Sequence, residues 1–193
     1  MAFDDNASDE ELARQLIQGH QKSFDLLMLR YKARLYSFIC RYVADQEEAY
    51  DLLQESFINI YRKIHLYDQN RKFSTWAFQI ALNKCRDWGR KKAITRVLPF
   101  SSFNKADDSI DFFDNTPGNE ADPEQILIGK IALENIAKAV EKLPDKLKTP
   151  LIMCVLEGMP HEECANILGV TSKTVETRIY RARKKLAETT EKS

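Results

Sequence analysis

Glycine and proline are scarce, 6 of each in 193 residues, and so few helix breakers argue for long helices. No apolar run is long enough to span a bilayer, and no signal peptide or lipidation motif is present, so a cytoplasmic protein without membrane insertion is expected. Histidine is sparse as well. His20, His65 and His161 are scattered along the chain, and no catalytic constellation is legible. The four cysteines, Cys40, Cys85, Cys154 and Cys164, form no CxxC pair and sit within apolar helical patterns. They read as buried, reduced thiols, with a metal or redox role as the alternative. Cys154, His161 and Cys164 flank one turn, but no fourth metal ligand suggests itself. No metal and no cofactor are expected.

Net charge is also absent, with 29 Lys and Arg against 29 Asp and Glu, so the bulk figure does not mark a nucleic-acid binder. The distribution does. Met1 to Glu11 carries five acids and no Lys or Arg, Asn83 to Arg96 carries six basic residues against Asp87 alone, and Val97 to Asp122 carries six acids against Lys105. Two basic blocks are thus separated by an acidic tract that a neutral sum hides.

What is present is helical periodicity. Ser8 and Glu11 form a capping box for a short helix bearing Leu12, Leu16 and Ile17 and ending near Gly19. Phe24, Leu27, Tyr31, Leu35, Phe38 and Tyr42 recur at three- and four-residue steps, the core stripe of a long second helix. Asp45 is placed to cap a third helix with Leu53, Phe57, Ile60 and Ile64 inward. Tyr67 to Lys72 is a polar loop, and Ser74 is expected to cap a fourth helix through Ala77, Ile80, Ala81 and Trp88. From Val97 to Asp122 the period fails, giving a linker of about 25 residues, long for a compact domain. Its Leu98, Phe100, Phe103, Ile110, Phe112 and Phe113 are costly to leave in water, so it either folds back over its own domains or docks on a partner. Leu133, Ile136, Val140 and Leu143 give a further helix, Pro144 breaks it, and Thr149-Pro150 is expected to restart one through Leu151, Ile152 and Val155 to Gly158. The expectation is an all-α chain of two small helical domains, 1–96 and 123–193, joined by an acidic linker, 97–122.

The second domain ends in a helix-turn-helix pattern. Ala165 permits close approach of two helices, Gly169 can take the positive φ of the turn, Pro160 suits a first helical turn, and Thr171 can cap the second helix at Thr174. In that helix Val175, Ile179, Ala182 and Leu186 form the inward stripe. Lys173, Glu176, Thr177, Tyr180, Arg181 and Lys184 face outward, with Arg178, Arg183 and Lys185 on the flanks. Six of the seven charges from Lys173 to Lys185 are positive. Such a face can offer hydrogen-bonding groups to base edges and cations to phosphates. A solvated basic helix at a chain terminus is the plainer reading, and the turn ahead of it favours DNA.

Two further surfaces stand out. On the third helix Glu48, Asp51, Glu55 and Arg62 line the outward face, with Gln54 beside them and Ile58 apolar. Asp51 and Glu55, four apart, repel by a few tenths of a kcal/mol, which a basic partner would relieve, although an ordinary solvated acidic face fits those residues too. The loop and fourth helix mix Tyr67, Phe73, Trp76 and Trp88 with Gln69, Asn70 and Asn83 and a basic end, Lys84, Arg86, Arg90, Lys91 and Lys92. That mixture suits single-stranded nucleic acid, while Phe73 and Trp76 are expected to be structural.

The stretches DLLQESFINIYRKI (51–64), FSTWAFQIALNKCRDWGRKK (73–92) and LEGMPHEECANILGVTSKTVETRIYRARKKL (156–186), in this order and at this spacing, resemble bacterial sigma factors of the extracytoplasmic-function class. The resemblance runs from about Glu10 to Leu186. It implies a promoter-specificity subunit that joins core RNA polymerase. Asp51, Gln54 and Glu55 match the motif that holds core polymerase. Asp68, Gln69, Asn70, Arg71, Lys72, Asn83, Arg86, Asp87 and Arg90 match the part that opens the minus-ten element and captures an extruded base of single-stranded promoter DNA. Lys173, Glu176, Thr177, Arg178, Tyr180, Arg181 and Lys184 match the reader of duplex minus-thirty-five DNA. The linker would thread toward the polymerase channels, and an anti-sigma factor is an expected partner. Three departures matter: Glu176 stands where several relatives carry a basic residue and can accept from a cytosine amine, Pro150 lies where a helix often runs on uninterrupted, and Asp87 can either accept from a base or pair with Arg90 or Lys91.

Two rivals make different demands. A helix-turn-helix regulator would bind duplex operator without core polymerase. A DNA-processing enzyme would need divalent metal and would turn over substrate alone.

Overall fold

The structure, a computed structural model, describes residues 7–97 and 138–190, with 95–97 and 189–190 as backbone only. All regular elements among these residues are helical. The first group is α1 (Asp9–Ile17), α2 (Gln21–Val43), α3 (Gln46–Lys63), a 3-10 turn (Ile64–Leu66) and α4 (Phe73–Val97). The second is a helical turn at 138–141, then α5 (Asp145–Leu151), a π-helical turn (Ile152–Leu156), α6 (His161–Leu168) and α7 (Ser172–Thr190). The expected linker, apart from Val97, lies outside the described residues, as do Leu133 and Ile136. No helix of the described residues is long and apolar enough to cross a membrane.

Local chemistry sets most boundaries. Ser8 accepts from the Glu11 amide at 3.2 Å, but only half of the capping box forms, because the Glu11 carboxylate pairs with Arg14 at 2.6 Å. Ala44 ends α2 in the left-handed conformation, φ 55°, and Asp45 then caps α3 by accepting from the Glu48 amide at 3.1 Å. That cap and the α2 stripe agree with the sequence: Leu27, Tyr31, Leu35, Phe38 and Tyr42 are buried, and Phe24 is half-buried. Each full burial of a Leu or Phe contributes about 1.5 to 3 kcal/mol.

The expected cap of α4 is wrong. The helix begins at Phe73, so Ser74 lies inside it, and the Phe73 amide is satisfied instead by Glu10 of α1 at 3.1 Å. The neighbouring acid of α1, Asp9, accepts from Arg30 at 2.7 Å and from the Tyr31 hydroxyl at 2.5 Å. The acidic first turn of α1 therefore fastens it to α2 and α4, a tertiary use of charge that no local pattern shows.

The restart at Thr149-Pro150 is also corrected. Helix α5 begins at Asp145, after Pro144, and contains Pro150. Proline here lacks the amide for one backbone bond and disturbs the preceding turn; the backbone passes directly into the π-helical turn, and Gly158, φ 67°, ends it. Farther on, Gly169 caps α6 with φ 65° and Thr171 accepts from the Thr174 amide at 3.2 Å, as the sequence indicates, whereas Pro160 stands just before α6 with an extended ψ of 143° and not in its first turn. Ala165, Val175, Ile179 and Ala182 are buried where the two helices meet.

Candidate functional site

Helix α3 presents Asp51, Gln54 and Glu55 to solvent. Glu55 also pairs with Lys84 of α4 at 2.6 Å, so part of the expected repulsion is relieved within the chain. Beside these residues α2 and α3 enclose an apolar groove of about 590 Å³, floored by Phe24, Met28, Leu53 and Phe57 and rimmed by Asp25, Lys32, Gln54 and Arg62. Phe24 packs against Phe57 and Tyr61, with ring centres 6.3 and 5.0 Å apart. Leu29, 77% exposed, lies at its edge with Tyr50, Ile58 and Tyr61. Of these only Ile58 was expected on the surface. The available signal was that Leu29, Tyr50 and Tyr61 fall outside the inward stripes of their helices.

The loop before α4 is a preformed turn. The Asp68 carboxylate accepts from the Asn70 amide at 3.0 Å and from its side chain at 3.1 Å, and Arg71 donates to the Asp68 carbonyl at 3.0 Å. The Tyr67 hydroxyl bonds the Arg71 carbonyl. Burial pushes the Tyr67 phenol up to about 12, with Glu10 and Asp68 adding to the effect. Tyr67, Phe73 and Trp76 pack together with ring centres 5.4 to 5.9 Å apart. Phe73 is buried and Trp76 half-buried, which gives them the structural part expected of them. Gln69, Asn70, Arg71 and Lys72 remain exposed on the turn.

On α4, Asn83, Asp87 and Arg90 are exposed along one side, and Asp87 pairs with Arg90. Lys92 lies 4.5 Å over the Trp88 ring. Arg86 points elsewhere. Its guanidinium donates to Asp145 of α5 at 3.0 Å, through both Nε and a terminal nitrogen.

Asp145 is the centre of a contact between the two helical groups. It accepts from the Tyr42 hydroxyl at 2.6 Å and from Thr149 at 2.8 Å. Burial alone would raise this carboxyl, but the bonds from Tyr42 and Thr149 and the Arg86 charge outweigh it and hold the group below the usual carboxylate range. Tyr42 shifts the other way, raised by burial and by its bond to Asp145. Lys148, buried over the Tyr42 ring at 4.5 Å, is lowered by desolvation. On either side, Glu157 accepts from Ser37 at 2.9 Å and pairs with Arg41 at 2.8 Å. Gln79 donates to the Ile167 carbonyl of α6 at 3.2 Å. Sequence reasoning missed this contact because its partners lie more than a hundred positions apart in several cases and belong to no shared pattern.

Helix α7 keeps its outward face clear. Lys173, Glu176, Thr177, Tyr180, Arg181 and Lys184 are exposed, Tyr180 by 70%, and Arg178 is half-buried. Glu176 sits between Lys173 at 3.2 Å and His161 at 4.0 Å. The Thr177 hydroxyl donates to the Lys173 carbonyl at 2.9 Å. The arrangement offers donors and cations to a polyanion on two surfaces of different character: a turn-plus-helix in the first group and a single helix face in the second. Among the described residues no group of three or more His, Cys, Asp or Glu side chains could hold a metal ion.

Comparison with known proteins agrees with that geometry. The family model described as Sigma-70 region 2 matches residues 27–94, and that described as Sigma-70, region 4 matches residues 133–186. The chain is 30% identical over 175 residues to the RNA polymerase sigma-H factor of Pseudomonas aeruginosa, spanning 91% of this chain and 90% of that protein. It is 30% identical over 181 residues to the ECF RNA polymerase sigma-E factor of Haemophilus influenzae, spanning 91% and 92%. Among solved structures, CnrH in complex with the cytosolic domain of CnrY shares the fold, with a TM-score of 0.67 at 24% identity over 97% of this chain and 99% of that one.

Proposed function

This chain belongs to the sigma factors of the extracytoplasmic-function class, which bind core RNA polymerase and promoter DNA to initiate transcription, and from that premise we propose how its surfaces divide the work. Asp51, Gln54 and Glu55 engage a basic surface of core polymerase, with the apolar groove of α2 and α3 taking the hydrophobic part of the contact. Asp68, Gln69, Asn70, Arg71 and Lys72 on the turn, with Asn83, Arg86, Asp87 and Arg90 on α4, hold the single-stranded minus-ten element. Extruding a base costs a few kcal/mol of stacking and pairing, which a rigid turn beside a cationic helix can offset. Lys173, Glu176, Thr177, Arg178, Tyr180, Arg181 and Lys184 read the duplex minus-thirty-five element.

The domain division that goes with this is 1–96, linker 97–122, and 123–193. The chain supplies recognition and the polymerase supplies the chemistry, so it is not an enzyme. It works in the cytoplasm, and an anti-sigma factor controls it by covering the exposed groove and α3 face. The observation that carries the reading is two polar surfaces on separate helical groups, each within a segment that matches a different sigma-70 region. In the arrangement described, Arg86 is engaged by Asp145. Its minus-ten role therefore requires the two groups to part at Asp145.

Run-off transcription with purified core polymerase tests this. The expected result is specific initiation from a subset of genomic promoters and tight promoter binding only with core present. Equally tight binding of a duplex site by the chain alone, with no initiation, replaces the reading with that of an operator-binding regulator.

A further inference from the structure

From Lys173 to Lys185, Glu176 is the one acid among six basic residues, and the fold gives it neighbours from both helices of the helix-turn-helix. Its Oε2 accepts from the Lys173 ammonium of α7 at 3.2 Å, and its Oε1 lies 4.0 Å from Nδ1 of His161, the first residue of α6. Each carboxylate oxygen therefore attends to a different helix. At 4.0 Å the imidazole makes no hydrogen bond; it bounds the carboxylate on its Oε1 side. The Glu176 side chain is still 50% exposed, so lone pairs of its oxygens stay open to an outside donor.

Beside it, Thr177 has its proton committed. Its hydroxyl donates to the Lys173 carbonyl at 2.9 Å, which leaves acceptor lone pairs and a methyl group for an outside partner. Both residues fall in the second turn of α7, which begins at Ser172, and the N-terminal residues of a recognition helix are those that meet base edges. The early part of the outward face thus presents acceptors there, and the donors Arg181 and Lys184 follow farther along.

We propose that Glu176 selects cytosine at one position of the minus-thirty-five element, with His161 as its positioning residue, an inference that rests on the reading of α7 as the duplex-facing helix. In the major groove guanine offers two acceptors, and thymine an acceptor and a methyl group, so a carboxylate finds no donor on either. Adenine sets its N6 amine beside the N7 acceptor, which repels the second carboxylate oxygen. Cytosine alone shows an amine with no acceptor on its own edge. Lys173, already bonded to Glu176 and with its side chain 85% exposed, offsets the repulsion between that carboxylate and the DNA phosphates. With Lys173 on one oxygen and the His161 ring beside the other, the acceptor is aimed before DNA arrives, which lowers the ordering cost of the contact.

The test uses holoenzyme assembled with core polymerase and a promoter, found by run-off transcription, whose minus-thirty-five element is randomised; bound duplexes are sequenced. One position is expected to favour cytosine over each other base by on the order of tenfold. Glu176→Gln is expected to move that preference to adenine, because an amide presents a donor and an acceptor together, and Glu176→Ala to remove it, with other positions unchanged. His161→Ala is expected to keep cytosine but shrink its advantage, and His161→Asn, which retains a nitrogen near the Nδ1 position, to restore it. Both side chains are about half exposed, and circular dichroism checks that the variants fold. Base preferences that pass through Glu176→Gln unchanged overturn the proposal and leave the duplex reading of α7 intact. An equal loss at every position in His161→Ala overturns the positioning role. Absence of any base preference in the unmodified chain removes the duplex reading and this inference with it.

Discussion

Helices α4 and α7 both carry clustered cations, yet the fold treats them differently. On α4, Lys84 is paired with Glu55, Arg86 with Asp145 and Arg90 with Asp87. On α7, Lys173 pairs with Glu176, while Tyr180, Arg181 and Lys184 stand exposed. A duplex reader needs a presented face and little else. A helix that must hold an extruded base is better kept occupied until the strand is there, because unpaired cations bind any polyanion. In the proposed division of work, α7 already presents its outward face, whereas Arg86 of α4 is held by Asp145.

The contact at Asp145 is where this contrast breaks most easily. Asp145→Ala removes the shared acceptor of Tyr42, Thr149 and Arg86, and is expected to weaken the docked arrangement by about 2 kcal/mol after allowing for solvent screening of the half-exposed Arg86 pair. Small-angle scattering should show a larger radius of gyration, and minus-ten capture with core polymerase should not fall. An unchanged radius would mean that the flanking bonds at Glu157 and Gln79 suffice.

Acid offers a second route to the same contact. Asp145 has a docked pKa below its ordinary value, so its contribution is complete above about pH 3.9 and is lost as pH falls through the lower docked value. Scattering is therefore expected to be constant from neutral pH down to that limit and to report opening below it. Opening that begins near neutrality would assign control to another group.

At α7, Arg181→Ala is expected to cost about 1 to 3 kcal/mol at the minus-thirty-five element if its contact is bidentate to guanine. Filter binding of holoenzyme to matched and scrambled duplex separates the cases, since an equal loss on both makes Arg181 a phosphate contact. On α4, alanine at Asn83 and Arg90 is expected to reduce single-stranded minus-ten binding by about 1 to 2 kcal/mol and to leave duplex minus-thirty-five binding unchanged. A loss at both elements would erase the distinction between the helices. The smallest change touches neither face. Ala44→Gly relieves a left-handed alanine and is expected to stabilise the first helical group by up to about 1 kcal/mol, read by urea denaturation, with promoter affinity unaltered.

Much of this molecule was legible because its rules are local. The periods of α2 and α7, the caps at Ser8, Asp45 and Thr171, and the positive φ at Gly169 depend on neighbours within a few positions. Exposure of Asp51, Gln54 and Glu55 follows from the same periodicity. The errors fall where a local rule met a distant competitor. Ser74 is a good capping residue, but Glu10 supplies the acceptor one residue earlier. Pro150 is a good helix opener, but α5 starts at Asp145, whose side chain is held by Tyr42 and Arg86. The apolar groove was hidden for a related reason: it needs two helices side by side, and neither stripe alone reveals the gap between them.

The sequence by itself determined an all-helical chain, its helix-turn-helix and the three motifs of a sigma factor, since spacing along a helix decides which side chains share a face. Only the tertiary structure decided that Arg86 turns toward Asp145, that Glu55 has an internal partner, and that Glu10 meets the Phe73 amide. Those outcomes depend on how helices from remote parts of the chain pack, and packing joins residues that no period relates.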